Sequence, residues 1–492
     1  MGGTIMNDWA VVLVSVLLLT VPLDARVLET PPAASAALTP IEQEFMDHID
    51  HIIFVVMENH AYDSYFGTYC QVKSKACPSV ANGIPSGTCV PEFPNEKGKP
   101  CIRPWNFTAQ NWSLGGVPML HNYNSSIKAW NNGLMNGFYH AENSQNIPFG
   151  HYNGTTAPTY WDIAEEYTLE DNFFSSIFSY SLPNHWHIVA GQAPAIIIQN
   201  FTAEPSGSPW PPDVFIPHEH TYLNESNKTT AVEDLLVRTN VSWNYYDQPL
   251  AKNYQRAIEV TLIDNGTKVA SDGSAYNYFD PLAAKAESYT KAFVSHFVSN
   301  TQFYSDARNG TLPSISWVIP PGQFSDHPPD NSTLAQNYVA SLVDALESSP
   351  DWNSSIMYIT WDDYGGFYDH VDPPVMFGEQ LGFRVPLLVV SPYSVKGSVP
   401  NATGYFESIL RGMEWRFGLG CITALDCNAP LPLWGLNFSS GPRAPILFPT
   451  DFNDSLYPFN PDWNGTATAP TGNYDPPEQF VSFPDGEAPD ID

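Results

Sequence analysis

Basic residues are scarce in this chain. Its 492 residues carry only 20 Lys and Arg against 52 Asp and Glu, a formal net charge of −32 at pH 7. No basic stripe is available to neutralise a phosphate backbone, which excludes nucleic acid as a partner and disfavours anionic membranes. Long apolar runs are missing too. Residues 9–22 are mostly apolar but fall short of the roughly 20 residues that a bilayer span requires, so no stable membrane insertion of the mature chain is expected. The six cysteines contain no C-x₂-C pair, which argues against a zinc cluster. G-x-S-x-G is absent, which argues against an α/β-hydrolase, and so is H-E-x-x-H. The chain has no internal repeat.

What it has in excess is Asn in glycan-acceptor context. Sixteen of its 36 Asn lie in Asn-x-Ser/Thr, among them Asn106, Asn111, Asn124, Asn153, Asn224, Asn227, Asn309, Asn331 and Asn401. Such an excess over the Ser and Thr content marks an exported chain with N-linked glycans. An even set of six Cys fits the same compartment. Cys421 and Cys427 form a close local pair. Cys70, Cys77, Cys89 and Cys101, clustered in a Gly/Pro-rich segment, allow three connectivities. Residues 1–25 read as a signal peptide, with an uncleaved anchor as the alternative, so the expected location is secreted or cell surface. An acid-rich surface is calmest where carboxylates are neutralised, which predicts an acidic habitat and activity peaking below about pH 6.

Two strings carry the chemistry. In the first, residues 356–370, an apolar run reads as a buried strand that stops at Asp362-Asp363, and Gly365-Gly366 then let the chain turn. Adjacent carboxylates repel unless a cation or a proton is shared, and ligands in open α/β sheets bind beyond the carboxyl ends of strands. The second, residues 51–69, repeats the design: Ile52 to Met57 stops at Glu58-Asn59, an acid and an amide that offer hard oxygen ligands. Strand-like runs at 52–57, 171–178, 314–319, 356–361 and 385–391 alternate with helical patterns. One of these, Asn337 to Leu346, sets Tyr338, Leu342 and Ala345-Leu346 on one face. The alternation predicts an α/β fold with a mostly parallel sheet between helical layers. His218-Glu-His220 has the spacing to chelate a metal from a strand, but reads as a surface loop.

The strings MENHAYDSYFGT, SLPNHWHIVAGQ, LPSISWVIP, SDHPP and TWDDYGGFYDHVDPP, in order between about His51 and Pro449, resemble the landmarks of the phosphoesterase family. That family holds bacterial phospholipases C and acid phosphatases and belongs to the alkaline-phosphatase superfamily. The resemblance implies an alkaline-phosphatase-like three-layer α/β/α sandwich over residues 46–449; the Pro/Ala-rich 26–45 reads as a linker, and the Pro-, Asp- and Asn-rich 450–492 as an extended or partly disordered tail. It implies one divalent cation, Ca²⁺, Mg²⁺ or Mn²⁺ ahead of Zn²⁺, held by Glu58, Asn59, Asp362 and Asp363. Ser181 stands at the place of the family nucleophile, which attacks phosphorus and becomes a phosphoserine; read without the family, it is a helix cap. His121 and His327 match family histidines and are assigned to phosphate binding or to proton transfer to the leaving group. His185, where the family commonly has Arg, and His370 are expected near the substrate. Three positions depart from the pattern: Leu134 and Asn136 replace a Lys and an Asp in residues 129–138, and Phe406 replaces a His ahead of Glu407-Ser-Ile-Leu410. The expectation is an exported metal-dependent phosphoesterase. Phosphate monoesters are favoured, because no long apolar loop points to lipid. A phospholipase C is the alternative, and a non-catalytic surface glycoprotein with the same fold is the rival of another class.

Overall fold

The computed structural model describes residues 38–73, 77, 82–92, 100–107, 119–193, 230–247, 295–320, 324–328 and 332–448. The expected leader, most of the linker, His218-Glu-His220, the tail from 450, and Asn111, Asn224, Asn227 and Asn331 lie outside these residues.

Seven strands make one sheet: β1 His51–Met57, β2 Thr168–Glu170, β3 Trp243–Asp247, β4 Phe297–Ser299, β5 Ile315–Val318, β6 Ser355–Trp361 and β7 Leu387–Val390. Their order is β2-β7-β6-β1-β5-β3-β4. Every pairing is parallel except those of β7, which runs antiparallel to β6 and β2. Ile52–Met57 and all of β6 are buried, as central parallel strands covered on both faces must be.

The helices that matter here are α1 Pro40–His48, α2 Tyr123–Trp130, α3 Pro158–Glu166, α4 Ser181–Ala190, α5 Asn300–Asn309, α6 Ser332–Glu347 and α7 Phe406–Phe417. They cover both faces of the sheet. Trp361 of β6 meets Tyr160 of α3, with ring centroids 5.1 Å apart. Tyr358 lies three residues back and so on the opposite face. It donates to Pro432 O at 2.6 Å, and Pro432 packs on Gly412 of α7. The result is the expected α/β/α sandwich.

Three segments differ from expectation. α1 begins inside the expected linker, because Thr39 and Glu42 form a reciprocal capping box ahead of Pro40, and Phe45 is buried. Residues 171–178 are not one strand: only Phe173–Phe174 pairs, with Gly404–Tyr405, outside the main sheet. Ser175 N donates instead to Phe383 O and Ser176 Oγ to Glu407, so the segment runs as a loop with buried rings. α6 is buried almost all round rather than on one face, because residues 446–448 cover it. Leu447 N donates to Glu347 Oε2, and Phe448 N to Asp344 Oδ1.

The disulfides are Cys70–Cys77, Cys89–Cys101 and Cys421–Cys427, which selects one of the three open connectivities. Among the described residues, no helix is long and apolar enough to cross a membrane.

Candidate active site

Strand register builds the site. β1 and β6 pair in parallel from His51↔Ser355 to Met57↔Trp361, so both strands end at the same level. Glu58-Asn59 and Asp362-Asp363 therefore leave side by side from neighbouring strands, about 4.8 Å apart. Asp362 N donates to Met57 O at 2.9 Å, and Asn59 N donates to Asp362 Oδ1 at 2.9 Å. Asp363 N also donates to Asp362 Oδ1, at 2.8 Å, and Gly365 N turns back to Asp363 Oδ1 at 2.6 Å. The two predicted pairs meet.

Ser181 is the first residue of α4, and the cap position is Tyr180, so the Ser181 side chain is not a helix cap. Its Oγ donates to Glu58 Oε2 at 3.0 Å and lies 3.2 Å from Asn59 Oδ1. His185 is one turn on, on the same helix face. Its Nε2 lies 3.1 Å from Glu58 Oε1 and 3.7 Å from Asp362 Oδ2. The ring expected near the substrate thus sits against the carboxylates, within one cluster with Glu58 and Asp362 that has metal-ligand spacing.

The Asn59 side chain joins the remaining parts. Its Oδ1 faces Glu58 Oε2 at 3.2 Å and Asp362 Oδ1 at 3.1 Å, while the other end of the amide faces His121 Nε2 at 3.1 Å and His327 Nε2 at 2.9 Å. With the amide turned over, its nitrogen would donate to both carboxylates and its oxygen would accept from both imidazoles. An amide oxygen crowded by carboxylate oxygens needs a cation among them; an amide nitrogen there does not. His121 is fixed by Nδ1 against Met119 O at 2.6 Å, and the centroids of its ring and that of His327 are 6.5 Å apart.

Burial disfavours charge throughout. At Glu58 this cost is outweighed by the hydrogen bond and charge of His185 and by the charge of His327, and the carboxyl is held at about 2. Asp362 is pushed well above its ordinary value by burial and then by the charges of Glu58 and Asp363. Burial takes His327 down to about 4 despite Glu58. His185 pays the same burial cost, yet its bond to Glu58 raises it. Asp362 Oδ2 is buried without a hydrogen-bond partner. A hard cation fits that oxygen and would relieve the repulsion among the acids. Three carboxylates and an amide suit Ca²⁺, Mg²⁺ or Mn²⁺, and the nearby His185 nitrogen keeps Zn²⁺ within range.

His370 stands apart from this group. Its Nδ1 lies 2.7 Å from Asp63 Oδ2, in a cluster where Arg384 bridges Asp63 at 2.9 Å and Asp369 at 3.1 Å. The ring expected near the substrate faces the Asp63 carboxylate in this cluster. Phe406 packs on Phe173, and its neighbour Glu407 takes His187 Nδ1 at 2.6 Å. Two residues escaped sequence reasoning. Asp326 Oδ2 accepts from Tyr65 Oη at 2.7 Å, Tyr160 Oη at 3.0 Å and Trp361 Nε1 at 3.0 Å. Glu142 accepts from Leu120 N at 2.9 Å, beside His121, and burial pushes it up to about 8. The Ser-Asp-His string held the signal for Asp326; Glu142 had none.

Residues 49–420 match the Phosphoesterase family. The chain is 26% identical over 407 residues to a non-hemolytic phospholipase C of Burkholderia pseudomallei (strain K96243), across 75% of this chain and 55% of that protein. It is 24% identical to phospholipase C B of Mycobacterium tuberculosis (strain ATCC 25618 / H37Rv), across 75% and 74%. Identity to non-specific phospholipase C6 of Arabidopsis thaliana is 25%, across 74% and 66%. The chain spans about half the length of the first bacterial relatives it matches.

Proposed function

Because the chain belongs to the Phosphoesterase family, we propose that it hydrolyses phosphate esters with Ser181 as nucleophile. The observation that carries this reading is the Ser181 Oγ position, 3.0 Å from Glu58 Oε2 and 3.2 Å from Asn59 Oδ1, where the two acid-bearing strand ends meet. Glu58 accepts the hydroxyl hydrogen and orients Oγ. A divalent cation held by Glu58, Asn59, Asp362 and Asp363 supplies charge stabilisation at the serine and phosphoryl oxygens when bound. Ser181 attacks phosphorus, the ester oxygen departs with a proton, and water then hydrolyses the phosphoserine. The free amides at the start of α4 favour the phosphate charge. His121 and His327 serve the phosphoryl oxygens and the leaving oxygen. His327 is neutral above about pH 4, so a bound phosphate anion beside it must raise its proton affinity before it can act as an acid.

Relatives named phospholipase C favour a phospholipid diester, which would yield a phosphorylated head group. The second reading is an acid phosphomonoesterase, favoured by the net charge of −32. Export with N-linked glycans is supported by the sequons, of which Asn106, Asn309 and Asn401 are exposed, and by three disulfides. The test is turnover of p-nitrophenyl phosphate and of p-nitrophenylphosphorylcholine, with and without chelator, for the wild type and Ser181→Ala. Chelation should stop turnover and added cation restore it. Ser181→Ala should cost on the order of 10⁶-fold, as nucleophile removal does in other hydrolases. A variant that keeps more than a few per cent of the rate sinks the nucleophile assignment, and no turnover of either ester by the wild type supports the non-catalytic rival.

A further inference from the structure

The two loops that leave the site end in exposed apolar side chains. One follows His121 and α2, and at residue 134 it presents Leu134, 66% exposed, where the resemblance has a Lys. The other follows Asp363 and ends in a hairpin in which Val375 pairs with Gln380 and Met376 with Glu379. Met376 turns inward against the Phe174, Leu381 and Tyr405 cluster and anchors the hairpin. Val375 and Phe377 point out, 60% and 53% exposed.

The turn itself is unusual. Phe377 and Gly378 have φ +50° and +90°. Positive φ at both central residues is the geometry that selects Asn-Gly or Asp-Gly. A bulky aromatic residue there is strained. A ring left in water does not offset that strain, whereas a ring placed in an apolar phase does.

The two loops touch each other, and one of them touches the segment that leads into Ser181. Trp130, at the end of α2, donates Nε1 to Asp372 Oδ1 at 2.7 Å, and Gly133 sits so close to Asp372 that a Cβ would come within 2.7 Å of its Oδ2. The Trp130 ring also packs on Phe178, three residues before Ser181, with centroids 5.3 Å apart. Charge selects the occupant. The chain carries −32 overall, and exposed Asp372 and Glu379 flank the tip. Anionic lipid is repelled, while the quaternary ammonium of a zwitterionic head group finds acids beside the apolar side chains. We infer that Leu134, Val375 and Phe377 dock the protein on a zwitterionic phospholipid surface and bring the Ser181 site to its substrate. This deepens the phosphodiester reading and rests on it.

The test uses the full chain and vesicles of phosphatidylcholine alone or with phosphatidylserine. The double variant Leu134→Lys/Phe377→Asn restores the resemblance's charge and gives the turn a residue that it favours, so folding is not taxed. Wild type should float with phosphatidylcholine vesicles, and the variant should bind about tenfold or more weakly, as loss of two buried apolar side chains predicts. Turnover on vesicles should fall in step, while turnover of soluble p-nitrophenylphosphorylcholine stays unchanged. Equal vesicle binding by the variant overturns the inference, as does binding that requires phosphatidylserine. Loss of soluble turnover in the variant overturns it too, since the tip would then belong to the site. A dimer that the same substitutions dissolve would assign the face to a second copy and overturn it likewise. Failure of the wild type on the soluble diester would sink the phosphodiester reading, and the vesicle arm would still decide the docking.

Discussion

Asp326 holds a backbone conformation that few residue types tolerate, with φ +78°. Three aromatic donors converge on one of its oxygens, from Tyr65, Tyr160 and Trp361. Tyr65 follows Glu58-Asn59, Trp361 precedes Asp362, and His327 is the next residue. One carboxylate thus ties His327 to both acid-bearing strand ends, and Glu58 N pins the same loop through Ser325 O at 2.8 Å. While Tyr65 Oη keeps Ser332 Oγ at 3.1 Å, Asp326→Ala would leave the buried Tyr160 and Trp361 donors unpaired, at about 1–3 kcal/mol each. Its melting temperature should fall and its kcat should drop by at least about tenfold, while Asp326→Asn keeps an acceptor, tolerates positive φ, and stays near wild type. Melts and steady-state rates of the two variants decide it: equal behaviour of Ala and Asn would refute the anchoring role. His327 was legible because a motif marks a reactive residue. The same string marked Asp326 as a residue, but not its anchoring role, because a buried carboxylate is recognised by the donors that reach it from distant segments.

At the scale of elements, the site depends on how closely two loops pack. Gly365 has φ +59°, and a Cβ on it would overlap Asn59 O. The turn after Asp362-Asp363 is thereby pressed on the backbone of the partner pair. Beneath it, Arg384 spans Asp63 and Asp369, one from each loop, and is wholly buried. Gly365→Ala should push the pairs apart, weaken cation binding, and cut kcat/KM by about 100-fold or more, since displacements of about 1 Å have that effect. Calorimetric titration with Ca²⁺, Mg²⁺ or Mn²⁺ tests the geometry apart from turnover; wild-type affinity in the variant would count against it. The strands that frame these loops were plain in the sequence, since a central parallel strand is apolar on both faces and 52–57 and 356–361 are little else. Residues 171–178 carried a similar aromatic signal without being a strand, because burial of rings by loops leaves the same composition. Helix α6 hid its second buried face, since residues 446–448 cover it from about 100 positions away.

At the scale of the molecule, the acids decide how stability follows pH. Burial pushes Glu142 up to about 8 and Glu170 to about 9, and it takes Asp326 and Asp344 to about 6. Each keeps a proton in the folded state that the unfolded chain releases near pH 4. Their contribution is therefore fully present below about pH 4 and is lost as pH rises through 6 to 9. Two buried imidazoles act the other way. Burial lowers His60 to about 3 and His327 to about 4. The unfolded chain binds protons at these rings below about pH 6.5, so stability is lost as pH falls from there towards 4. Above pH 6.5 the acids and the raised imidazoles of His185 and His370 act with one sign, and self-repulsion from the charge of −32 has the same sign. The surface part of this was legible in composition; the buried part was not, because composition does not say which acids go inside. Between pH 4 and 6.5 the four acids outweigh the two imidazoles, so the melting temperature should be highest near pH 4 to 5 and should fall steadily towards pH 9. Melts should be run with chelator present, so that pH-dependent release of the cation does not enter. A melting temperature that is flat or rising from pH 6.5 to 9 would mean that Glu142 and Glu170 are buried as carboxylates, and the acid-side preference would then rest on surface charge alone.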